Sequence, residues 1–172
     1  MDRRSLLLVG PALLSLACVP VLAAAADKAA YEKLVRDVLQ VVVSKNVPDP
    51  DALIAKLDEA ARIGVEFCKQ VAVVEPANKP ILDFAIANFD KIRSTPSDKF
   101  EEQWHEGAAF KAGGHDNSKL DQTGKTASAL DAVIHPLTAS AALQVYKTTK
   151  KPELLQIVVQ ELEEVIGHLK HL

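Results

Sequence analysis

Apolar side chains recur along this chain at the three- and four-residue steps that are typical of amphipathic helices. The pattern covers five segments, at residues 31–42, 53–74, 81–92, 130–145 and 155–169. Such stripes bury themselves against one another, so the chain is predicted to be all-α, a four-helix bundle of the up-and-down type. We expect the first, second, fourth and fifth segments to form the bundle, or the third segment to replace part of the fourth.

Proline and glycine fall mostly between these segments. Pro136 is the exception, because it lies inside the fourth segment and has no N–H to donate to the carbonyl of Ala132. We therefore expect a kink at this position or a split into two helices. The stretch from about 94 to 125 has Pro96, a possible short helix at 98–106 and then four glycines. A connection this long is typical of a functional loop or a crossover between packed helices.

The first 26 residues have the pattern of a secretory signal peptide. Arg3 and Arg4 precede an apolar stretch at 6–22, and small residues at 23–26 place the expected cleavage before Asp27. A membrane anchor is the alternative, but the stretch is only roughly 17 residues long and contains two prolines. We predict a signal peptide at 1–26 and one helical domain at 27–172, exported to the periplasm and without a membrane span after cleavage.

Two variants of the export signal have weaker support. The run Arg3-Arg4-Ser5-Leu6-Leu7 has the outline of a twin-arginine signal, although the short basic region favours the Sec pathway. The residues 16–18, Leu-Ala-Cys, loosely resemble a lipoprotein cleavage site. We interpret Cys18 as an ordinary apolar residue of the signal.

Charge and sulfur content exclude several classes of partner. The 172 residues carry a net charge of −3, and residues 27–172 carry 18 basic and 22 acidic side chains. A mildly acidic surface does not attract nucleic acid or an anionic membrane. Cys68 is the one cysteine after residue 26, so no internal disulfide is expected. Met1 is the one methionine, so the exported chain has no thioether ligand.

Histidines and carboxylates concentrate in and near the 94–125 region. His105 follows the one tryptophan, His115 and Asp116 follow a Gly-Gly pair, and His135 comes shortly afterwards. Imidazole nitrogens and carboxylate oxygens suit zinc, copper, nickel or iron. We therefore predict a metal site with His105, His115, Asp116 and His135 as ligands. The alternative interpretation is a set of surface loop residues.

Two acidic residues could support these ligands. Asp131 precedes His135 by one helical turn and lies on the same face. A carboxylate there can hold the ring in one tautomer, as is common for metal-ligating histidines. Glu106, next to His105, is assigned the same supporting role. Trp104 is predicted to form a binding surface.

The last helix carries a second polar stripe, at Glu161, Glu164, His168 and His171. Carboxylates and histidines at this spacing could hold a cation. A ferritin-like di-iron site needs matching sets on the other helices, and none is present. We therefore interpret the stripe as a solvated face whose histidines complement the helix dipole.

These features predict a binding protein in preference to an enzyme. The chain lacks the C-x-x-C-H motif of c-type haem, nucleophile motifs and phosphate loops. The prediction is an exported helical-bundle accessory protein that binds a divalent transition metal or a non-covalent haem through its loop histidines. The alternative is a protein-interaction module without a cofactor, a sensor or adaptor subunit that contacts another periplasmic protein through the Trp104 loop.

Overall fold

The computed structural model describes residues 26–172. The predicted signal peptide, apart from Ala26, lies outside the described residues. Asp27 caps the first helix, because its side chain accepts a hydrogen bond of 2.9 Å from the backbone N–H of Ala30. Within the described range, no helix combines the length and the apolar character that a bilayer span requires.

The described residues form helices and no strands, so the predicted all-α class is confirmed. The eight α-helices are α1 (Lys28–Val43), α2 (Pro50–Val74), α3 (Lys79–Ala87), α4 (Phe89–Arg93), α5 (Ser97–Phe100), α6 (Ala108–Ala112), α7 (Lys125–Thr149) and α8 (Glu153–His168). A π-helical turn, Glu101–His105, follows α5. Short 3₁₀ turns lie at Pro76–Asn78, Asn117–Lys119 and Leu169–His171.

The four long helices form the bundle, as predicted for the first, second, fourth and fifth segments. Helices α1 and α7 each pack against both α2 and α8. Neighbouring helices are antiparallel: Lys147 of α7 pairs with Asp51 at the start of α2, whereas Ala129 of α7 accepts a hydrogen bond from Cys68 near the end of α2. The predicted apolar stripe at 155–169 is buried: Leu155 and Leu162 lie on α8, and Leu169 lies in the 3₁₀ turn that follows it.

Helix α7 is covered by other parts of the chain on nearly all sides. Every residue from 126 to 143 is buried except Asp131. The outer face of α7 is covered by the connection from α2, whose anchors Phe100, Trp104 and Phe110 are fully buried. Much of the region expected to be a loop at 94–125 is therefore short helical turns packed on the bundle, because these aromatic rings must be removed from water.

Two helix predictions change in detail. A kink or a split was expected at Pro136, and the split is excluded because α7 continues through this residue. The carbonyl of Ala132 instead accepts a hydrogen bond of 2.9 Å from the hydroxyl of Tyr31. The third predicted helix divides at Asn88 into α3 and α4, where the Asn88 side chain donates to the carbonyl of Phe84.

Candidate metal centre

Three histidines and three carboxylates converge where α7, α8 and the π-helical turn meet. We call these six residues the His–carboxylate cluster. The π-helical turn supplies His105, α7 supplies Asp131 and His135, and α8 supplies Glu161, Glu164 and His168. All of them lie within ion-pairing distance of at least one other member of the cluster.

His135 is the centre of the cluster. Its side chain is buried, with 4 % of the residue exposed, and its Nδ1 lies 2.7 Å from Oε2 of Glu161, which is 7 % exposed. On the other side of the ring, Nε2 lies 3.9 Å from Oδ1 of Asp131. Charged groups this deeply buried are costly unless they are paired and hydrogen-bonded. The pair with Glu161 meets this requirement in the metal-free protein.

The carboxylates around His135 also set its charge. Burial lowers the pKa of His135, but the hydrogen bond to Glu161 and the negative charges of Asp131, Glu161 and Glu164 raise it by more. The pKa of His135 is therefore above its ordinary value. Burial raises the pKa of Asp131, although the nearby histidines oppose this effect.

The π-helical turn positions His105. Its defining hydrogen bond runs from the N–H of Glu106 to the carbonyl of Glu101 at 2.9 Å, and such turns are frequent at functional sites. Nε2 of His105 lies 2.9 Å from Oγ1 of Thr138 and 3.4 Å from Oε2 of Glu161. The neighbouring Trp104 fixes the turn, since its Nε1 donates to Oγ1 of Thr95 at 2.9 Å.

The cluster contains two groups of potential metal ligands, which share His135. The inner donor set is His105, His135 and Glu161, and the outer donor set is Asp131, His135 and His168. In each set, one ligand atom per residue lies within 4.8 Å of the others. A tetrahedral ion with bonds of about 2.0–2.1 Å separates its ligands by about 3.3 Å. Both sets can therefore close around an ion with small side-chain movements.

A polar cavity of about 220 Å³ adjoins the cluster. Its lining includes Asp131, His168 and His105, together with the amides of Asn117 and Gln122. Pockets for small organic ligands usually measure about 300–1,000 Å³ and are mostly apolar. The cavity is thus suited to an ion and water molecules, and it does not have the size or the apolar lining that a haem requires.

The structure brings together some of the predicted ligands and separates others. His105 and His135 share the inner donor set, and Asp131 lies beside His135 as expected. His115 instead packs against Phe84, with ring centroids 5.0 Å apart. Asp116 accepts hydrogen bonds from Ser118, which together with Lys119 keep the pKa of this carboxyl below its usual range. Neither residue belongs to a donor set, nor does the exposed Glu106.

Trp104 does not form a binding surface. Its side chain is fully buried and packs edge-on against Phe110, with ring centroids 5.7 Å apart. Its role is to anchor the connecting region on α7 and to line the cavity. The interaction-module alternative therefore loses the surface residue on which it was based.

The sequence interpretation missed the candidate ligands of α8. Glu161 was assigned to a solvated face, but it is buried and binds His135. His168 lies with its Nδ1 3.2 Å from Oδ2 of Asp131. The signal was present in the spacing of Glu161, Glu164 and His168. It was discounted because the other helices lack the matching sets of a ferritin-like site. The partners that the structure supplies, His105 and His135, come instead from the π-helical turn and α7.

Each donor set consists of two imidazole nitrogens and one carboxylate oxygen. Zinc enzymes and non-haem iron enzymes use this combination of ligands, with the remaining coordination positions left open. The arrangement therefore makes the cluster a possible metal-binding site. Comparison with known proteins adds no homologue, because no family model, curated protein or solved structure matches this chain.

Proposed function

We propose that this protein is an exported accessory protein that binds a divalent transition-metal ion in the inner donor set. The observation that carries the proposal is the buried contact of His135 with Glu161, with His105 3.4 Å from the same carboxylate oxygen. A buried ion pair is weak evidence for a purely structural role, since apolar residues of similar volume are often equally stabilising. Six ionisable groups beside a polar cavity are better explained by binding.

The ligand types narrow the choice of ion. Calcium and magnesium prefer sites made of oxygen atoms, whereas imidazole suits zinc, copper, nickel and iron. Copper(I) prefers sulfur ligands. The buried thiol of Cys68 belongs to neither donor set, and it donates to the carbonyl of Ala129. Zinc, copper(II), nickel and iron(II) are thus the ions that fit this site.

Export to the periplasm is part of the proposal. It is supported by the signal-peptide pattern of residues 1–26. It is also supported by the position of Asp27 as the cap of α1, because cleavage before this residue leaves the capping side chain in place. N-terminal sequencing of the exported protein tests this: a start at Asp27 is expected, and a lipidated Cys18 would contradict it.

Calorimetric titration with zinc tests the binding proposal. Glu161→Gln removes a ligand charge with little change of shape, and His105→Ala removes a ligand nitrogen. Each should weaken binding by more than about 100-fold, beyond the 10–100-fold cost of losing an outer partner of a ligand. His115→Ala is the matched control, because His115 belongs to the same connection but contacts Phe84. Its affinity should equal that of the wild type.

Two outcomes would overturn the proposal. Equal zinc affinity in the wild type, Glu161→Gln and His105→Ala would place any binding outside the inner donor set. Absence of zinc, copper(II), nickel and iron(II) binding would refute a metal-binding function and favour the interaction module. The single tryptophan makes the titration easy to follow in parallel, since Trp104 precedes His105 and lines the same cavity.

A further inference from the structure

We infer that the His–carboxylate cluster holds two metal ions that share the ring of His135. This inference rests on the proposed metal binding at the inner donor set. Its starting point is the position of His135 between two carboxylates on different sides of the ring. Nδ1 faces Glu161 and Nε2 is nearest to Asp131. An imidazole that has lost both N–H protons can bind one ion through each nitrogen.

The outer donor set has the geometry of a second site. Nδ1 of His168 lies 3.2 Å from Oδ2 of Asp131, and Oδ1 of the same carboxylate lies 3.9 Å from Nε2 of His135. The rings of His135 and His168 are 6.0 Å apart and nearly parallel. One ligand atom from each of the three side chains lies within 4.8 Å of the other two, so an ion bound at the ring edges, in the plane of the nitrogen lone pairs, would meet all three.

The outer donor set is also open to the cavity. Asp131 and His168 line it, whereas Glu161 of the inner donor set does not. The side chain of His168 is 30 % exposed, so an ion can enter without unfolding the bundle. The order of occupation follows from this arrangement. The first ion takes the more buried inner donor set, and the second ion remains in the outer donor set.

The carboxylates of the cluster can serve two ions separately. Glu161 belongs to the inner donor set and Asp131 to the outer donor set, and in the described part of the chain their ion-pair partners are histidines alone. Glu164 is exposed and belongs to neither set. Each divalent ion would therefore meet a negatively charged ligand of its own, which reduces the desolvation cost of holding it in a buried site.

Protons balance the two binding steps, and no electron is transferred. A carboxylate oxygen accepts, so in the contact of 2.7 Å with Glu161 the proton lies on Nδ1 of His135. The first ion binds Nδ1 and releases the proton held there, while the proton on Nε2 stays beside Asp131. The second ion binds Nε2, and that proton leaves to solvent through the cavity. Both ions are thus bound at the expense of protons.

Copper(II) provides a direct test. We expect the wild-type protein to bind two equivalents. At one equivalent, the electron paramagnetic resonance spectrum should show an isolated copper ion at full intensity. At two equivalents, the signal should weaken, because a bridging imidazolate couples the two unpaired spins. In His168→Ala, a single equivalent should bind and the signal should keep its full intensity.

Matched variants make the result interpretable. His115→Ala should still bind two coupled ions, which excludes copper held by the other connecting histidine. Asp131→Asn hardly changes the shape of the side chain and lies on α7. If His168→Ala loses one ion through the outer donor set and not through a disturbance of α8, Asp131→Asn should likewise bind a single equivalent with a full-intensity signal. Circular dichroism establishes that each variant is folded.

The outcomes separate the two proposals. A wild-type stoichiometry of one, unchanged in His168→Ala, would overturn the two-ion inference and leave the inner site intact. Two ions with additive, uncoupled signals would overturn the shared ring. No copper or zinc binding in the wild type would overturn the proposed function and this inference together.

Discussion

The hydroxyl of Tyr31 donates a hydrogen bond of 2.9 Å to the carbonyl oxygen of Ala132. Pro136 has no N–H, so this carbonyl is the one that the proline leaves without its helical donor. The same carbonyl touches α2 at Gly64, where an added Cβ would lie 2.3 Å from the oxygen. Helices α1, α2 and α7 are thus fixed to one another at the turn that carries Asp131 and His135.

Tyr31→Phe should destabilise the protein through this carbonyl. The change leaves a buried acceptor without a donor, which costs about 1–3 kcal/mol in the free energy of unfolding. Pro136→Ala restores an N–H at position 136 and thereby a helical donor for Ala132. In the Pro136→Ala background, Tyr31→Phe should therefore cost clearly less. Urea denaturation of the four proteins in the cycle measures the difference, and an equal cost in both backgrounds would contradict this account.

Substitution by alanine should affect the stability of the protein differently at two helical glycines. Gly64→Ala would place a methyl group against the backbone of Ala132, which cannot move without shifting α7. The loss of packing should exceed the gain of about 1 kcal/mol in helix propensity. Gly167 of α8 is the matched control, since a Cβ there meets nothing within 4 Å. Thermal unfolding should show a lower Tm for Gly64→Ala and an unchanged or higher Tm for Gly167→Ala.

Helical periodicity was sufficient to predict the bundle, but it did not predict that the connection from α2 packs on the outer face of α7. The stripe 155–169 is buried as expected, because its leucines and valines all lie on one face of the helix and that face packs against the bundle. Pro136 suggested a kink or a split, and α7 is continuous through it. The compensating donor is Tyr31, which lies 101 residues away in the sequence. No local pattern reveals such a partner.

The site could be predicted only in part for a similar reason. His105 and His135 were identified from their residue type and from the unusual region around them. Glu161 and His168 were discounted because the other helices carry no matching ferritin-like set. Which face of α8 meets His135 depends on the packing of two helices, and the sequence does not show it. His115 was included because glycines precede it, but the ring is held by Phe84. Proximity in sequence is a weak guide to ligands on different helices.

Without metal, the protein should lose stability as the pH rises through the neutral range. The pKa of His135 is raised in the folded state, whereas in the unfolded chain it is near 6.5. A group with a raised folded pKa contributes its full stabilisation below the unfolded pKa, and this is lost as the pH rises through the folded value. Burial also raises the pKa of Asp131, so the ionisation of this residue above about pH 4 lowers the stability of the folded state in the same direction.

Urea unfolding in the presence of a chelator, at several values between about pH 6 and pH 9, measures this decline. His135→Gln cannot be protonated in this range, so its stability should change less with pH. An equally steep decline in His135→Gln would show that another group is responsible. The test uses metal-free protein because a bound ion would replace the proton on His135.

Zinc should stabilise the folded chain by an amount that grows with the ratio of free zinc to its Kd at the inner donor set. The ligands come from the π-helical turn, α7 and α8, so the unfolded chain does not hold them together. A ligand that binds the folded state alone, at about 100 times its Kd, raises the free energy of unfolding by about 2.7 kcal/mol. The emission of Trp104 should report the transition, since this one tryptophan is fully buried in the folded state.

Glu161→Gln should unfold at nearly the same urea concentration with and without zinc, whereas the stability of His115→Ala should increase with zinc as much as that of the wild type. An equal gain in Glu161→Gln would place the stabilising ion elsewhere. A loss of stability with zinc would mean that the ion prefers the unfolded chain, because linkage favours whichever state binds more tightly.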